Sequence, residues 1–87
     1  MIDLSAYKAE YREPVAFILK LLPYEEDIPE AEEELKEFYT AVEEGDLDKA
    51  KHVMWALSRD SLRYADTFYT VYLELDAITW DINHEGS

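Results

Sequence analysis

The chain has 87 residues, 48% of them hydrophobic, no cysteine and a formal charge of −13 at pH 7. This length suits one domain with one core, and the lack of cysteine excludes disulfides and thiolate metal sites, so we expect a cytoplasmic protein. Because so negative a chain repels phosphate polymers and anionic lipids, we expect neither direct nucleic-acid binding nor membrane binding.

An apolar stripe at helical spacing predicts a first helix over residues 4–22, with Asp3 as its N-cap. Pro14 interrupts the stripe, so we expect either a kink there or two short helices that meet at Glu13. The residues after the proline are apolar on nearly every side, which predicts that Phe17 and its neighbours are covered from more than one direction.

The second helix is predicted over residues 28–44. Asp27 and Glu30 resemble a capping box, with Pro29 in the first turn. Gly45 provides a left-handed stop and Asp46 an N-cap for the next helix. So short a turn predicts that the second and third helices lie antiparallel.

Apolar residues recur at spacings of four and three from Ala50 to Ile78, with one polar interruption at Ser61. This pattern predicts a single third helix over residues 47–80, roughly 50 Å long at about 1.5 Å per residue. We therefore predict an all-α domain over residues 1–80, a small antiparallel bundle with one long C-terminal helix, and a flexible tail over residues 81–87. The predicted core residues are Val15, Ile18, Leu22, Leu35, Phe38, Val42, Met54, Leu57 and Tyr64.

The second half of this long helix would extend past the second helix and expose a large apolar surface, which predicts a homodimer. The predicted interface residues are Phe68, Tyr69, Tyr72, Leu75, Ile78 and Trp80. The alternative is a compact monomer in which the third helix bends and the first helix covers its apolar side.

Negative charge is concentrated in residues 25–48, which hold twelve acids and one base, Lys36, and so carry −11 of the −13. This segment is either a solvated face that keeps the protein soluble or a surface that binds a partner. Solubility of a small domain requires a net charge of only about two to eight. The candidate partner-binding residues are Glu25, Glu26, Asp27, Glu30, Glu33, Glu34, Glu37 and Glu44.

In overall type, a small, acidic, cysteine-free helical protein resembles bacterial or phage-encoded inhibitors such as immunity, anti-restriction and anti-CRISPR proteins. We therefore predict a non-enzymatic inhibitor that occupies the basic, nucleic-acid-binding surface of a partner protein. No catalytic residue, metal site or cofactor is predicted.

A second resemblance lies in the run from Glu33 to Glu37, which reads E-E-L-K-E and is followed by Gly45 and Asp46. It is similar to the first half of the motif of the MazG-type nucleoside triphosphate pyrophosphohydrolases, which are helical, magnesium-dependent and oligomeric. Those enzymes complete the site with an E-x-x-D pair on the next helix, where this chain has lysines. The resemblance implies an alternative function, a nucleotide-binding or degenerate pyrophosphohydrolase module.

Arg59 and Arg63 are predicted to share one helical face, one turn apart, and are candidate anion-binding residues. Asp60 and Asp66 are equally well placed to neutralise them, as is the acidic second helix. Internal ion pairing is therefore the alternative to a ligand site.

Overall fold

The computed structural model describes residues 2–23, 27–61 and 63–85, and every regular element in these ranges is a helix. Helix α1 spans Ala9–Leu19, and a short 3₁₀ helix, Pro29–Ala31, leads directly into α2, Glu32–Glu43. Helix α3 spans Leu47–Asp60, and α4 spans Ala65–Asn83. The all-α prediction is confirmed, whereas Glu25 and Glu26 of the candidate partner-binding set lie outside the described residues.

The prediction of one long helix over residues 47–80 is wrong, because the chain leaves the helical conformation at Ser61, whose φ of −81° and ψ of 137° are extended. The Ser61 hydroxyl oxygen accepts a hydrogen bond of 3.0 Å from the Tyr64 amide, and α4 begins at the next residue. Serine at a helix boundary uses its side chain in this way to replace a missing backbone partner. The polar interruption in the apolar pattern is therefore the point at which the helix ends.

Helix α4 packs against α3. The two halves of one straight helix could not contact each other in this way. Helix α4 also packs against α1, and α2 packs against α3. The molecule measures 40 × 24 × 18 Å, so the predicted overhang of a roughly 50 Å helix is absent. The third helix is thus interrupted and not merely bent, and α1 packs against α4, as the alternative to the overhang predicted of the first helix.

The buried core contains the predicted apolar pattern on both sides of the helix break. Met54 and Leu57 of α3 and Phe68, Leu75 and Ile78 of α4 are all buried. Among the predicted core residues, only Leu22 and Tyr64 are no more than partly buried. The other predicted core residues are confirmed, namely Val15, Ile18, Leu35, Phe38, Val42, Met54 and Leu57.

The region before α1 differs from the predicted helix start. The Asp3 carboxylate accepts a hydrogen bond of 2.9 Å from the Ser5 amide and so stabilises a turn, while the helix begins only at Ala9. The same hydrogen bond lowers the pKa of Asp3, because it favours the charged form.

Helix α1 then runs through Pro14 as one element. Phe17, which was predicted to be covered, is 59% exposed.

The turn between α2 and α3 confirms the predicted stop and cap. Gly45 has a φ of +79°, its amide donates to the Val42 carbonyl at 3.1 Å, and the Asp46 amide donates to the Ala41 carbonyl at 2.9 Å. These two bonds satisfy the last carbonyls of α2 in the pattern of a Schellman motif. The Asp46 carboxylate then accepts from the Lys49 amide at 3.1 Å and caps α3.

The start of the second helix differs from the predicted capping box. The 3₁₀ helix begins after Ile28, and no side chain caps that position. Ile28 is instead fully buried, so an apolar contact with the core holds this end of the helix.

The C-terminal boundary of the last helix lies three residues beyond the predicted residue 80, at Asn83. Beyond it, the Lys8 ammonium lies 2.5 Å from the Glu85 carboxylate. This hydrogen-bonded pair lowers the pKa of Glu85 and raises the pKa of Lys8, since each charge favours the other.

Within the described ranges, no helix is both long and apolar enough to cross a membrane.

Candidate protein-binding surfaces

The acidic surface is the set of carboxylates in residues 27–48, and every one of them is exposed. Its members are Asp27, Glu30, Glu32, Glu33, Glu34, Glu37, Glu43, Glu44, Asp46 and Asp48. Helix α2 turns Leu35, Phe38 and Val42 into the core. The helical period therefore directs the intervening acids outward.

The acidic surface has two parts. Glu33, Glu37 and Glu44 recur at spacings of four and seven and so share the outer face of α2. Glu30 and Glu34 instead line a groove of about 110 Å³ between the start of α2 and the end of α3, together with Asp60. The predicted partner-binding residues that the structure describes thus do not all share one face.

Cations neutralise only part of this surface. Four of its carboxylates have a cation nearby: Lys36 lies 3.2 Å from Glu32, Lys49 lies 3.8 Å from Glu37, Lys51 lies 3.8 Å from Asp48 and Arg63 lies 3.4 Å from Glu30. These carboxylates are solvent-exposed, and such pairs contribute about 0–1 kcal/mol. The outer face of α2 therefore remains strongly negative, and its side chains are accessible to a partner.

The two candidate anion-binding arginines do not share a helical face, because α3 ends between them. The Arg63 guanidinium donates to the Asp27 carbonyl at 2.6 Å and lies 3.4 Å from the Glu30 carboxylate. Arg59 lies in the last turn of α3, with its guanidinium 5.0 Å from the centre of the Trp55 ring. Arg63 is thus paired internally with the acidic segment, which is the predicted alternative to a ligand site.

Three of the predicted interface residues, Phe68, Leu75 and Ile78, are buried by the chain's own helices. Burial within one subunit leaves them unavailable on its surface. Tyr72 is partly buried, while Tyr69 and Trp80 are 50% and 61% exposed. Leu73, which the predicted interface omitted, is 48% exposed. Tyr69, Leu73 and Trp80 lie four and seven residues apart and form what we call the outer α4 stripe.

Trp55, which was not among the predicted surface residues, is 41% exposed on α3. Its ring stacks with the His52 ring at a centroid distance of 6.3 Å, and the Arg59 guanidinium lies over the Trp55 ring. A cavity of about 360 Å³ adjoins it, lined by Asp48, Lys51, His52, Trp55 and Tyr72. In the sequence, this cluster is marked by a tryptophan outside the apolar pattern of α3, with His52 three residues before it and Arg59 four residues after it.

The carboxylates that suggested a MazG-type site lie exposed on α2. In that resemblance the next helix must supply carboxylates, but here Lys49 of α3 itself pairs with Glu37. Among the described residues, no group of three or more histidine, cysteine, aspartate or glutamate side chains is arranged to hold a metal ion.

Comparisons with known proteins give no match. No family model matches the sequence, and neither a similar curated protein nor a similar solved structure is found.

Proposed function

We propose that this protein is a non-enzymatic inhibitor that uses the acidic surface to occupy a basic, nucleic-acid-binding surface of a partner protein. The observation that supports the proposal is the accessibility of all the described carboxylates in residues 27–48, in a segment with very few bases. Carboxylates one helical turn apart have Cβ atoms about 5–6 Å from each other. A row of negative charges at this spacing competes with phosphates for lysine and arginine side chains.

The same charge has a kinetic consequence for binding. A concentrated negative field steers a positively charged partner and raises the association rate, and salt weakens this effect. The proposed complex should therefore form quickly and lose affinity as the salt concentration rises.

Affinity capture from the native host tests the proposal. We expect the wild-type chain to retain a basic nucleic-acid-binding protein that DNA or high salt displaces. The variant Glu33→Gln with Glu44→Gln should retain less of it, whereas Asp66→Asn with Asp76→Asn, an equal change in charge on α4, should retain as much as wild type. Equal capture by both variants would contradict the proposal.

A direct assay of nucleoside triphosphate hydrolysis distinguishes an enzyme from a non-enzymatic inhibitor. If the purified chain released pyrophosphate from a nucleoside triphosphate only with magnesium, and Glu34→Gln abolished turnover, the MazG-type alternative would replace the inhibitor. A protein that instead retained a nucleotide without turnover would support the nucleotide-binding alternative.

The predicted homodimer remains part of the proposal, on a smaller surface than first expected. The outer α4 stripe supports it, because Tyr69, Leu73 and Trp80 expose apolar area along one side of a helix. We expect light scattering at micromolar concentration to give a dimer mass that Leu73→Glu reduces to a monomer mass. Trp55→Glu, which adds the same charge on α3, should leave the dimer intact. A monomer mass for the wild type would remove the dimer from the proposal.

A further inference from the structure

A groove of about 640 Å³ lies between α1 and α4, and it is separate from the acidic surface. Its apolar lining consists of Ala9, Pro14, Phe17, Ile18, Ala77 and Ile78. Phe17 is more than half exposed, and Ala77 on the opposite wall is exposed as well. The groove therefore presents apolar area to solvent that the chain itself does not cover.

Four carboxylates complete the lining of this groove, and no lysine or arginine is among its lining residues. Glu10 and Glu13 stand on α1, about one turn apart, and Glu74 and Asp81 stand on α4, about 10 Å apart along the helix. All four are exposed. Each wall of the groove thus carries a pair of negative charges beside an apolar floor.

We propose that this groove binds a basic amphipathic helix of a partner protein. An amphipathic helix places its apolar face into a hydrophobic groove, with anchors at spacings of three and four residues. Here the apolar anchors contact Phe17 and Ala77, and flanking lysine or arginine side chains reach the carboxylates on both walls. The complementary charges determine which helices bind, because an acidic helix is repelled by the four carboxylates and a neutral helix gains no charge pairing from them.

The charge of the groove also argues against two other occupants. A second copy of this chain has eight lysines and arginines against 21 acids, so it does not supply the row of cations that would pair with the four carboxylates. An anionic lipid surface would be repelled by the same carboxylates. A cationic helix is the occupant that satisfies both the apolar floor and the acidic walls.

This inference does not depend on the proposed function. None of the residues that line the groove belongs to residues 27–48, so each surface can be altered without changing the other. One partner with two basic regions, or two different partners, would satisfy both proposals.

The probe for the test is a designed helical peptide with leucine along one face and lysine along the other. A scrambled peptide of equal composition is its control. Fluorescence anisotropy measures the affinity of the full chain, and amide chemical-shift changes locate the bound peptide. We expect saturable binding of the amphipathic peptide, with shifts concentrated in α1 and α4, and much weaker binding of the scrambled peptide.

Two pairs of matched variants separate the groove from general charge attraction. Phe17→Ser should weaken binding by about tenfold, whereas Trp55→Ser, an exposed aromatic on α3, should change it by less than about twofold. Glu13→Lys with Glu74→Lys should weaken binding far more than Glu33→Lys with Glu44→Lys. Ala77→Arg tests the other wall of the groove and should also weaken binding of the peptide. Circular dichroism checks that each variant is folded.

The proposal is overturned if the shifts fall on the acidic surface, or if both double variants weaken binding equally. Equal affinity for the amphipathic and scrambled peptides would overturn it as well, because the groove would then make no use of its apolar floor.

Discussion

The Tyr7 hydroxyl donates a hydrogen bond of 2.5 Å to the Val42 backbone carbonyl, which also accepts from the Gly45 amide at 3.1 Å. Carbonyls in the last turn of a helix lack intrahelical partners, so Tyr7 completes the hydrogen bonding at the end of α2. Tyr7 itself is buried. This contact attaches the segment before α1 to the last turn of α2.

We predict that Tyr7→Phe lowers the free energy of unfolding by about 1 kcal/mol at neutral pH, because it removes the hydrogen bond and keeps the ring. Urea denaturation followed by circular dichroism measures the change. Tyr69→Phe, at an exposed tyrosine, should leave the midpoint unchanged. Equal effects of the two variants would show that the Val42 contact contributes nothing to stability.

The same tyrosine predicts a pH dependence. Burial, and secondarily the negative charge of Asp46, raise the pKa of Tyr7 from its usual 10.0 to about 12. The folded state therefore keeps a proton that the unfolded state loses. The contribution of Tyr7 is complete below pH 10 and is lost as pH rises toward 12. The stability difference between wild type and Tyr7→Phe should accordingly shrink above pH 10 in urea titrations.

The helix break predicts that Ser61→Ala destabilises the protein by about 0.5–1.5 kcal/mol, because the Tyr64 amide loses the side-chain oxygen that accepts its hydrogen bond. The control is Ser58→Ala, whose hydroxyl donates to the Trp55 carbonyl within α3 and caps nothing. Its expected effect is below about 0.5 kcal/mol. Thermal unfolding compares the two variants, and a larger loss for Ser58→Ala would contradict this explanation of the break.

The turn at Gly45 predicts a loss of about 1–2 kcal/mol for Gly45→Ala, because a side chain disfavours its φ of +79°. Its new Cβ would lie 3.4 Å from the Cβ of Ala6, so the cost comes mainly from the backbone. Gly45→Asn should cost less, since asparagine tolerates this conformation better than alanine. Chemical denaturation of both variants gives the order.

The core predicts a loss of about 3–5 kcal/mol for Phe38→Ala, because Phe38 is fully buried and truncation leaves a cavity. Phe17→Ala is the matched control, since that ring is more than half exposed. Its unfolding free energy should change by less than about 1 kcal/mol. A small loss for Phe38→Ala would mean that α2 does not pack as described.

The apolar periodicity correctly identified most buried side chains, including those beyond the helix break. Met54 and Phe68 continue the same pattern although they belong to different helices. Periodicity could not separate α3 from α4, because both helices turn their apolar residues into one core. The single local sign of the break was the serine at position 61, whose hydroxyl can bind a backbone amide.

The candidate surfaces were predictable to different degrees. The acidic residues of α2 were expected to be exposed, and those that the structure describes are exposed, because charged side chains rarely lie buried without partners. The exposure of Phe17 and Trp55 was not predicted. An aromatic residue can be buried by any neighbouring helix, and the sequence does not state which neighbours it has.

The sequence by itself determined the all-α class, the concentration of negative charge and the turn at Gly45 and Asp46, because these depend on local propensity and composition. Only the tertiary structure decided that α4 packs against α3, that Phe68 and Leu75 are covered within one chain, and that Phe17 lines an acidic groove. The physical reason is that a helical pattern specifies which face is apolar, whereas the element that covers this face is selected by packing across the whole chain.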